Sequence, residues 1–491
     1  MTRALVVAAP ASGSGKTTVA TGLMAALARR GTAVAPFKIG PDYIDPGYHT
    51  LAAGRPGRNL DPVLVGADRI VPLVRHGSAG CEIAVIEGVM GLFDGRVSDG
   101  TGSTAQVAGL VGAPVVLVVD CRGQSRSLAA LLHGFRSFDP DTALAGVILN
   151  RVGSARHEEV LRAACVEVGL PVLGALPRRT ELAVPSRHLG LVTAAEHGRA
   201  ALAAVDAMAD LIATHVDLDA VRQVARPLAP GDTWDPTEAV CPTHPAEVGD
   251  SGGGSGGLAG VVREPLTPDP RAGQHSPRVG QHSPRVGQGG VRVGRRVVTA
   301  MLGGPAFSFG YAEHVELLEA AGAEVVIVDP LRDEGLPDGT GGLVLPGGFP
   351  EEHVAALGEN VALLLAIRDL AAAGAPIRAE CGGLLYLCRE LDGIPLVGAL
   401  DATAAMTGRL TLGYREAVAL TDSTGFAAGS RTNGHEFHHC VVTPRAGRTP
   451  AWGWRGSEPE GFVQGGVHAS FLHTHPAGDP GAVTRFVAAH R

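Results

Sequence analysis

Short runs of consecutive apolar residues alternate with stretches of helical periodicity through the first 225 residues. The runs fall at residues 4–9, 33–37, 83–86, 115–119, 145–149 and 172–176. Their apolarity is continuous rather than alternating, as in parallel strands covered on both faces. In the first intervening stretch Val19, Leu23 and Leu27 share one helical face. The pattern predicts a doubly wound α/β domain, in which ligands sit at the carboxyl ends of strands. It resumes near residue 295, with strands expected at 296–301, 324–328, 342–345 and 376–379. Helices are expected around 312–321, 360–373 and 384–390, and a turn-rich strand region with a short helix at 461–491. Between the two patterns, residues 226–294 are dense in Pro, Gly and Ser and hold a perfect seven-residue tandem at 274–280 and 281–287. Such a segment cannot bury a core and is expected to be a flexible linker. The expected organisation is therefore 1–225, linker 226–294, and 295–491.

The whole-chain figures narrow the class without naming a chemistry. At 491 residues the chain suits two or three domains. A net charge of −8 and the absence of a Lys/Arg block argue against nucleic acid as a partner. Seven scattered cysteines form neither a disulfide framework nor a zinc pattern, so a reducing, cytoplasmic setting is expected. No segment approaches a membrane span. The apolar run near the N-terminus stops at a glycine loop and reads as the first strand rather than a signal segment.

That loop, Ala8-Ala9-Pro10-Ala11-Ser12-Gly13-Ser14-Gly15-Lys16-Thr17-Thr18, lies between a strand and a helix. Small residues there let backbone N–H groups close round an anion at a helix N-terminus. Gly13, Ser14, Gly15, Lys16, Thr17 and Thr18 are the expected nucleotide contacts. Lys16 would reach the outer phosphates and Thr17 would ligate Mg²⁺. The first glycine of the usual P-loop spacing is replaced by Pro10. Three further strand ends carry polar groups. Asp42 and Asp45 follow Lys38 in the stretch 37–49, and the pair could hold Mg²⁺ or position a substrate; an Asp-Pro-Gly turn is the plain alternative. Glu87 closes an apolar strand, where a carboxylate reaches the Mg²⁺ of a P-loop nucleotide. Asn150 offers donor and acceptor to an adenine edge, or caps a turn. Thr17, Asp42 and Glu87 are thus the expected metal ligands, and Asp45 and Lys38 the expected substrate contacts. Arg55 and Arg58 are further candidates for the substrate by position alone.

In the second half, Cys381 stands between an apolar strand and a helix, with Gly382 and Gly383 after it. This is a nucleophile-elbow arrangement, and a helix N-terminus is expected to lower the thiol pKa. A glycine turn at 346–350 could supply an oxyanion N–H from Gly348 beside that of Gly382. Three histidines, His468, His473 and His475, are candidate bases.

The residues at 37–49, 87–95, 379–387 and 434–438 carry a resemblance over nearly the whole chain apart from the linker. The first domain resembles the dethiobiotin-synthetase-like, ATP-dependent carboxylate-activating enzymes, and the second resembles a class I glutamine amidotransferase. In this order the pair is similar to the cobyrinate and hydrogenobyrinate a,c-diamide synthases of cobalamin biosynthesis. The resemblance implies two doubly wound α/β domains, with glutamine hydrolysed at Cys381 and His473 as the base. Ammonia would pass internally to the first domain. There Mg·ATP would phosphorylate acetate carboxylates a and c of a corrin polycarboxylate, and ammonia would attack the acyl phosphates. A homodimer is the family expectation, with neither nucleic acid nor membrane as partner. One departure bears on the mechanism: class I amidotransferases carry a carboxylate two residues after the catalytic histidine, and here that place is His475. Neighbouring readings are cobyric acid synthase and a nickel-tetrapyrrole diamide synthase. A reading from another class is a partitioning-type ATPase fused to an inactive amidotransferase-like module, which would lack the nucleophile that Cys381 supplies.

Overall fold

The computed structural model describes residues 2–178, 193–241 and 297–490, with 186–187 and 190–191 between the first two. The seven-residue tandem and most of the expected linker lie outside the described residues. The first domain is built on strands β1 (Arg3–Ala8), β2 (Val34–Ile39), β3 (Arg58–Leu60), β4 (Ile83–Glu87), β5 (Val115–Asp120), β6 (Leu144–Val152) and β7 (Val172–Pro177). They form a parallel sheet in the order β3-β2-β4-β1-β5-β6-β7. Strands β1, β2 and β4 are buried along nearly their whole length, which is why they read as unbroken apolar runs. Helix α1 (Lys16–Arg29) follows β1, and α2 (Asp45–Ala53) follows β2. Both therefore begin at the carboxyl edge of the sheet.

The first domain does not end where composition changes. Arg226–Pro227 pairs antiparallel with β1, Trp234 is buried, and Pro236–Val240 is helical. The front of the expected linker is thus folded, because β1 has an unpaired edge beyond its parallel neighbours that a short strand can occupy.

The second domain contributes β8 (Val297–Leu302), β9 (Ala323–Val328), β10 (Thr340–Leu345) and β11 (Ile377–Glu380). After these come β12 (Thr403–Ala419), β13 (Arg431–Thr443), β14 (Phe462–Gln464), β15 (Val467–Ser470) and β16 (His473–Thr474). One sheet runs β9-β8-β10-β11-β15-β14, with only β14 antiparallel to its neighbour. A second sheet centres on the hairpin β12–β13, against which β16 pairs. Apolar periodicity did not predict this hairpin: β12 is mostly half-buried or exposed and carries few consecutive apolar residues. Gly434 is needed where β16 crosses β13. A Cβ there would stand 2.5 Å from Leu472 Cγ and 2.7 Å from the His473 carbonyl oxygen. The two domains share apolar packing, with Ile44, Phe309 and Phe349 in one cluster.

Candidate active site

At the nucleotide loop, Gly15 takes φ 95° and caps α1. A Cβ on it would lie 2.3 Å from Asn150 Nδ2, so the residue has to be glycine on two counts. Asn150 Nδ2 donates to the Ser14 carbonyl at 2.9 Å and the Arg151 guanidinium to that of Gly13 at 3.0 Å. Asn150 is therefore a brace for the loop in this structure. Lys16 Nζ donates to the carbonyls of Met90 at 2.5 Å and Ala11 at 3.5 Å. Burial first, then the nearby Lys38, lowers its pKa. The first turn of α1 leaves the N–H groups of Lys16, Thr17 and Thr18 without intrahelical acceptors.

The ends of β2 and β4 and the start of α2 meet beside that turn. Thr17 Oγ1 donates to Glu87 Oε1 at 2.7 Å and lies 3.2 Å from Asp45 Oδ2. Lys38 Nζ lies between the same carboxylates, 2.5 Å from Asp45 and 2.9 Å from Glu87. His49 Nε2 meets the other Glu87 oxygen at 2.7 Å. Burial opposes the charge on Lys38, yet Asp45, Glu87 and Asp42 outweigh it and hold the ammonium well above its ordinary pKa. Burial likewise opposes the Glu87 charge, and Lys38 and His49 overcome it, holding that carboxyl far below its usual range. Asp45 is pushed the other way, by burial and then by Asp42. Asp42 divides its carboxylate, with Oδ2 3.9 Å from Lys38 Nζ. Its Oδ1 accepts the N–H groups of Ile44 and Asp45 at 2.8 and 3.0 Å, as the first residue of the turn into α2. The carboxylate placed beside Thr17 and Glu87 is therefore Asp45, whereas the sequence reading put Asp42 there.

The other constellation is in the second domain. Cys381 is buried, with φ 48°, between β11 and helix α3 (Gly382–Leu387). A non-glycine residue at positive φ is strained, and the tight turn carries the thiol off the end of the strand. The expected lowering of the thiol pKa is not found. Burial first, and Glu351 second, push it well above the usual cysteine value. The Gly382 N–H acts in the lowering direction and is outweighed by burial. The Gly348 N–H lies 3.0 Å from where a Cβ on Gly382 would stand. A Cβ on Gly347 would come within 2.5 Å of His473 Cε1. The Gly347–Gly348 turn thus lies against His473 on one side and against Gly382, next to Cys381, on the other.

His468 and His475 are directed elsewhere. His468 meets Ser423 Oγ at 3.1 Å, and burial lowers its pKa to about 3. His475 stacks on Tyr311 at 4.0 Å, lies 3.9 Å from Glu313, and is lowered to about 4, again chiefly by burial. The acidic neighbour of His473 is Glu380, whose Oε2 is 3.8 Å from Nδ1. Arg378 at 2.9 Å and Thr474 at 3.1 Å hold the other Glu380 oxygen. Burial opposes ionisation of Glu380, but Arg378 and His473 bring its pKa down to about 2. Glu380 stands immediately before the nucleophile and was not singled out from sequence.

Tyr43 links the two constellations. Its ring stacks on Phe309 at 5.1 Å and lies 5.0 Å from Tyr311 and 5.1 Å from His473. A cavity of about 710 Å³ opens at Cys381 and Gly348, and one of about 610 Å³ at Asp42, Tyr43 and Ile44. Phe309 and Phe437 line both. Arg58 is occupied at the same junction, pairing with Glu313 at 2.7 Å and with Glu316. Arg55 donates to Cys81 Sγ and the Ala79 carbonyl. In this structure both arginines brace the fold, and neither is left to face a substrate.

Among the described residues no helix is long and apolar enough to cross a membrane. Residues 5–192 match the model of the CobQ/CobB/MinD/ParA nucleotide binding domain, and residues 298–480 that of the CobB/CobQ-like glutamine amidotransferase domain. The chain is 54% identical to the hydrogenobyrinate a,c-diamide synthase of Mycobacterium bovis, over 99% of this chain and 97% of the relative. It is 55% identical to the enzyme of that name from Streptomyces coelicolor, over 98% and 96%. It is 38% identical to the cobyrinate a,c-diamide synthase of Gloeobacter violaceus, over 99% and 96%. A glycine loop beside a carboxylate cluster, a cysteine at a strand–helix turn, and this likeness along the full length place the chain in the a,c-diamide synthase family, glutamine-dependent ligases that join a nucleotide-binding domain to an amidotransferase domain.

Proposed function

We propose that the protein amidates the a and c acetate carboxylates of a corrin polycarboxylate, with glutamine as nitrogen source and ATP as activator. The observation that carries this reading is Tyr43, which sits on the Asp42–Asp45 turn and packs on His473 of the other constellation. In the first half-reaction the Cys381 thiol gives its proton to His473 and attacks the glutamine amide carbon. Ammonia leaves, and water hydrolyses the thioester to glutamate. The N–H groups of Gly348 and Gly382 face the oxyanion. A thiol raised by burial stays protonated until substrate and base are in place, which suppresses wasteful reactions of the resting cysteine.

In the second half-reaction a substrate carboxylate oxygen attacks the γ-phosphorus of ATP and releases ADP; ammonia then attacks the acyl carbon and releases phosphate. The loop from Gly13 to Thr18 holds the phosphates, with Lys16 at the outer ones. Thr17, Asp45 and Glu87 form a hard-oxygen donor set that fits Mg²⁺, which binds through one or two carboxylates and the phosphates of its nucleotide. Bound there, the ion would neutralise charge on the phosphoryl group. Lys38, held charged by Asp45 and Glu87, would turn to a substrate carboxylate once those two groups take up the ion. Ammonia would cross between the two cavities at Phe309 and Phe437, which spares it protonation in bulk water. A cytoplasmic location and a homodimer complete the reading.

The test is mass spectrometry of the product formed from glutamine, Mg·ATP and hydrogenobyrinic acid, with cobyrinic acid in parallel. A diamide is expected, and the identity of the productive corrin fixes the substrate. ATP hydrolysis without amide on either corrin would instead favour the regulatory-ATPase reading.

Glu380 supplies the carboxylate that His475 does not. It is a positioning residue acting on His473. Glu380→Gln is expected to lower glutamine-dependent kcat/KM about 10²- to 10⁴-fold, as for the acid of other triads. Ammonium-driven amidation should stay near wild type. The loss should fall on kcat for glutamine hydrolysis, with the KM for glutamine near wild type. A lower melting temperature with kcat unmoved would mean that Glu380 only holds the fold.

A further inference from the structure

One concave surface lies outside the chemistry above. It is a cavity of about 960 Å³ on the exposed face of β12–β13. Arg96, Arg409, Arg415, Arg431, Arg445 and Arg455 line it, against two glutamates, Glu416 and Glu436. Six guanidinium groups gathered on a chain of net charge −8 are a local reversal of sign. Some of that charge is already answered: Arg96 pairs with Asp99 and Glu416, and Arg415 with Glu436 at 2.7 Å. Arg409, Arg431 and Arg455 make no ion pair among the described residues and are exposed. The floor is aromatic. Trp454 lies under the guanidinium groups of Arg415 at 5.8 Å and Arg445 at 5.9 Å.

The cavity adjoins the one that opens at the turn of Asp42, Tyr43 and Ile44. Arg96 and Tyr414 line both it and the 610 Å³ cavity at Asp42, Tyr43 and Ile44. Tyr414 also crosses between the domains, donating to Asp61 at 2.9 Å. A ligand filling both spaces would have one end at the turn of Asp42, Tyr43 and Ile44, which leads into Asp45, and the rest over an arginine-rimmed bed with Trp454 in its floor. That is the shape and charge of a broad ring with several carboxylates on its periphery.

We infer that this arginine-rimmed cavity is the docking site for the carboxylates of the macrocycle that are not being amidated, and that Arg409, Arg431 and Arg455 select for polycarboxylate substrates. The inference rests on the proposed amidation reading. Guanidinium forks suit carboxylates because they donate two parallel hydrogen bonds, and their charge persists at every working pH. Holding several peripheral carboxylates at once would also decide which acetate reaches the cluster near Asp45, and so the choice of positions.

The experiment combines Arg409→Ala, Arg431→Ala and Arg455→Ala in the full-length protein. The KM for hydrogenobyrinic acid is measured at saturating Mg·ATP and glutamine, and equilibrium dialysis of the same corrin is run without nucleotide. The corrin KM and dissociation constant should both rise about 10- to 100-fold, as expected for several charge-assisted hydrogen bonds lost together. The KM for ATP should hold, and the salt dependence of the corrin KM should flatten. Unchanged corrin binding overturns the inference, as does an equal rise in the KM for ATP, which would mark the cavity as a general anion surface. Should the wild-type protein neither bind nor amidate hydrogenobyrinic or cobyrinic acid, the amidation reading itself fails and the docking site falls with it. That outcome differs from a wild type that binds as tightly as the triple variant.

Discussion

Cys381→Ala is expected to abolish glutamine-dependent amidation, by about a thousandfold or more, and to leave amidation driven by excess ammonium near its wild-type rate. The split follows from where the side chain lies. Cys381 follows β11 near the Gly347–Gly348 turn and lines a cavity whose lining includes none of the carboxylate cluster. It touches none of Thr17, Lys38, Asp45 or Glu87. The substitution removes one sulfur atom from a closely packed elbow, where alanine can take the same backbone turn, so the fold should survive. Assaying glutamate release and amide formation in parallel reads the effect. Loss of glutaminase with ammonium rescue separates ammonia production from its use. Loss of the ammonium-driven reaction as well would mean that Cys381 supports the ligase site directly.

Much of this arrangement can be read from the chain, and the parts that cannot have a common cause. Strands buried on both faces announce themselves as apolar runs, and the six expected in the first domain appear within about two residues at most ends. The glycine loop and Cys381 were legible because each needs a special backbone conformation that only a few residue types supply. The hairpin β12–β13 was not. It is half solvated, twisted by a register shift between Met406 and Thr411, and its polar residues line a cavity instead of a core. Local sequence also gave no partner to Asp42, Asp45 or Tyr43. Which aspartate turns toward Glu87 depends on the other capping its own turn, and Tyr43 finds its ring partners in a different domain. The thiol of Cys381 shows the same limit: a helix N-terminus is visible in sequence, and the burial that outweighs it is not.

Glu87→Gln should give the mirror image of the cysteine variant: amidation lost with either nitrogen source, by about 10²- to 10³-fold, while glutamine hydrolysis persists. Glu87 is fully buried and joins Thr17, Lys38 and His49 in one network. Glutamine keeps its shape and one acceptor oxygen but removes the charge that faces both Lys38 and the expected metal position. Because a buried ammonium then loses a carboxylate partner, some loss of stability will accompany the loss of rate. Lys16→Met separates the two effects. The Lys16 ammonium donates to backbone carbonyls of Ala11 and Met90, so its removal leaves no charged side chain buried without its partner. It should nonetheless remove the anchor for the outer phosphates and lower amidation as far as Glu87→Gln does. If both variants lose amidation and retain glutaminase, the nucleotide loop and the carboxylate cluster act on one phosphoryl transfer. If glutaminase falls with amidation in Lys16→Met, the coupling runs the other way, from the nucleotide loop through Tyr43 to His473, and glutamine is hydrolysed only when the carboxylate-activating site is filled.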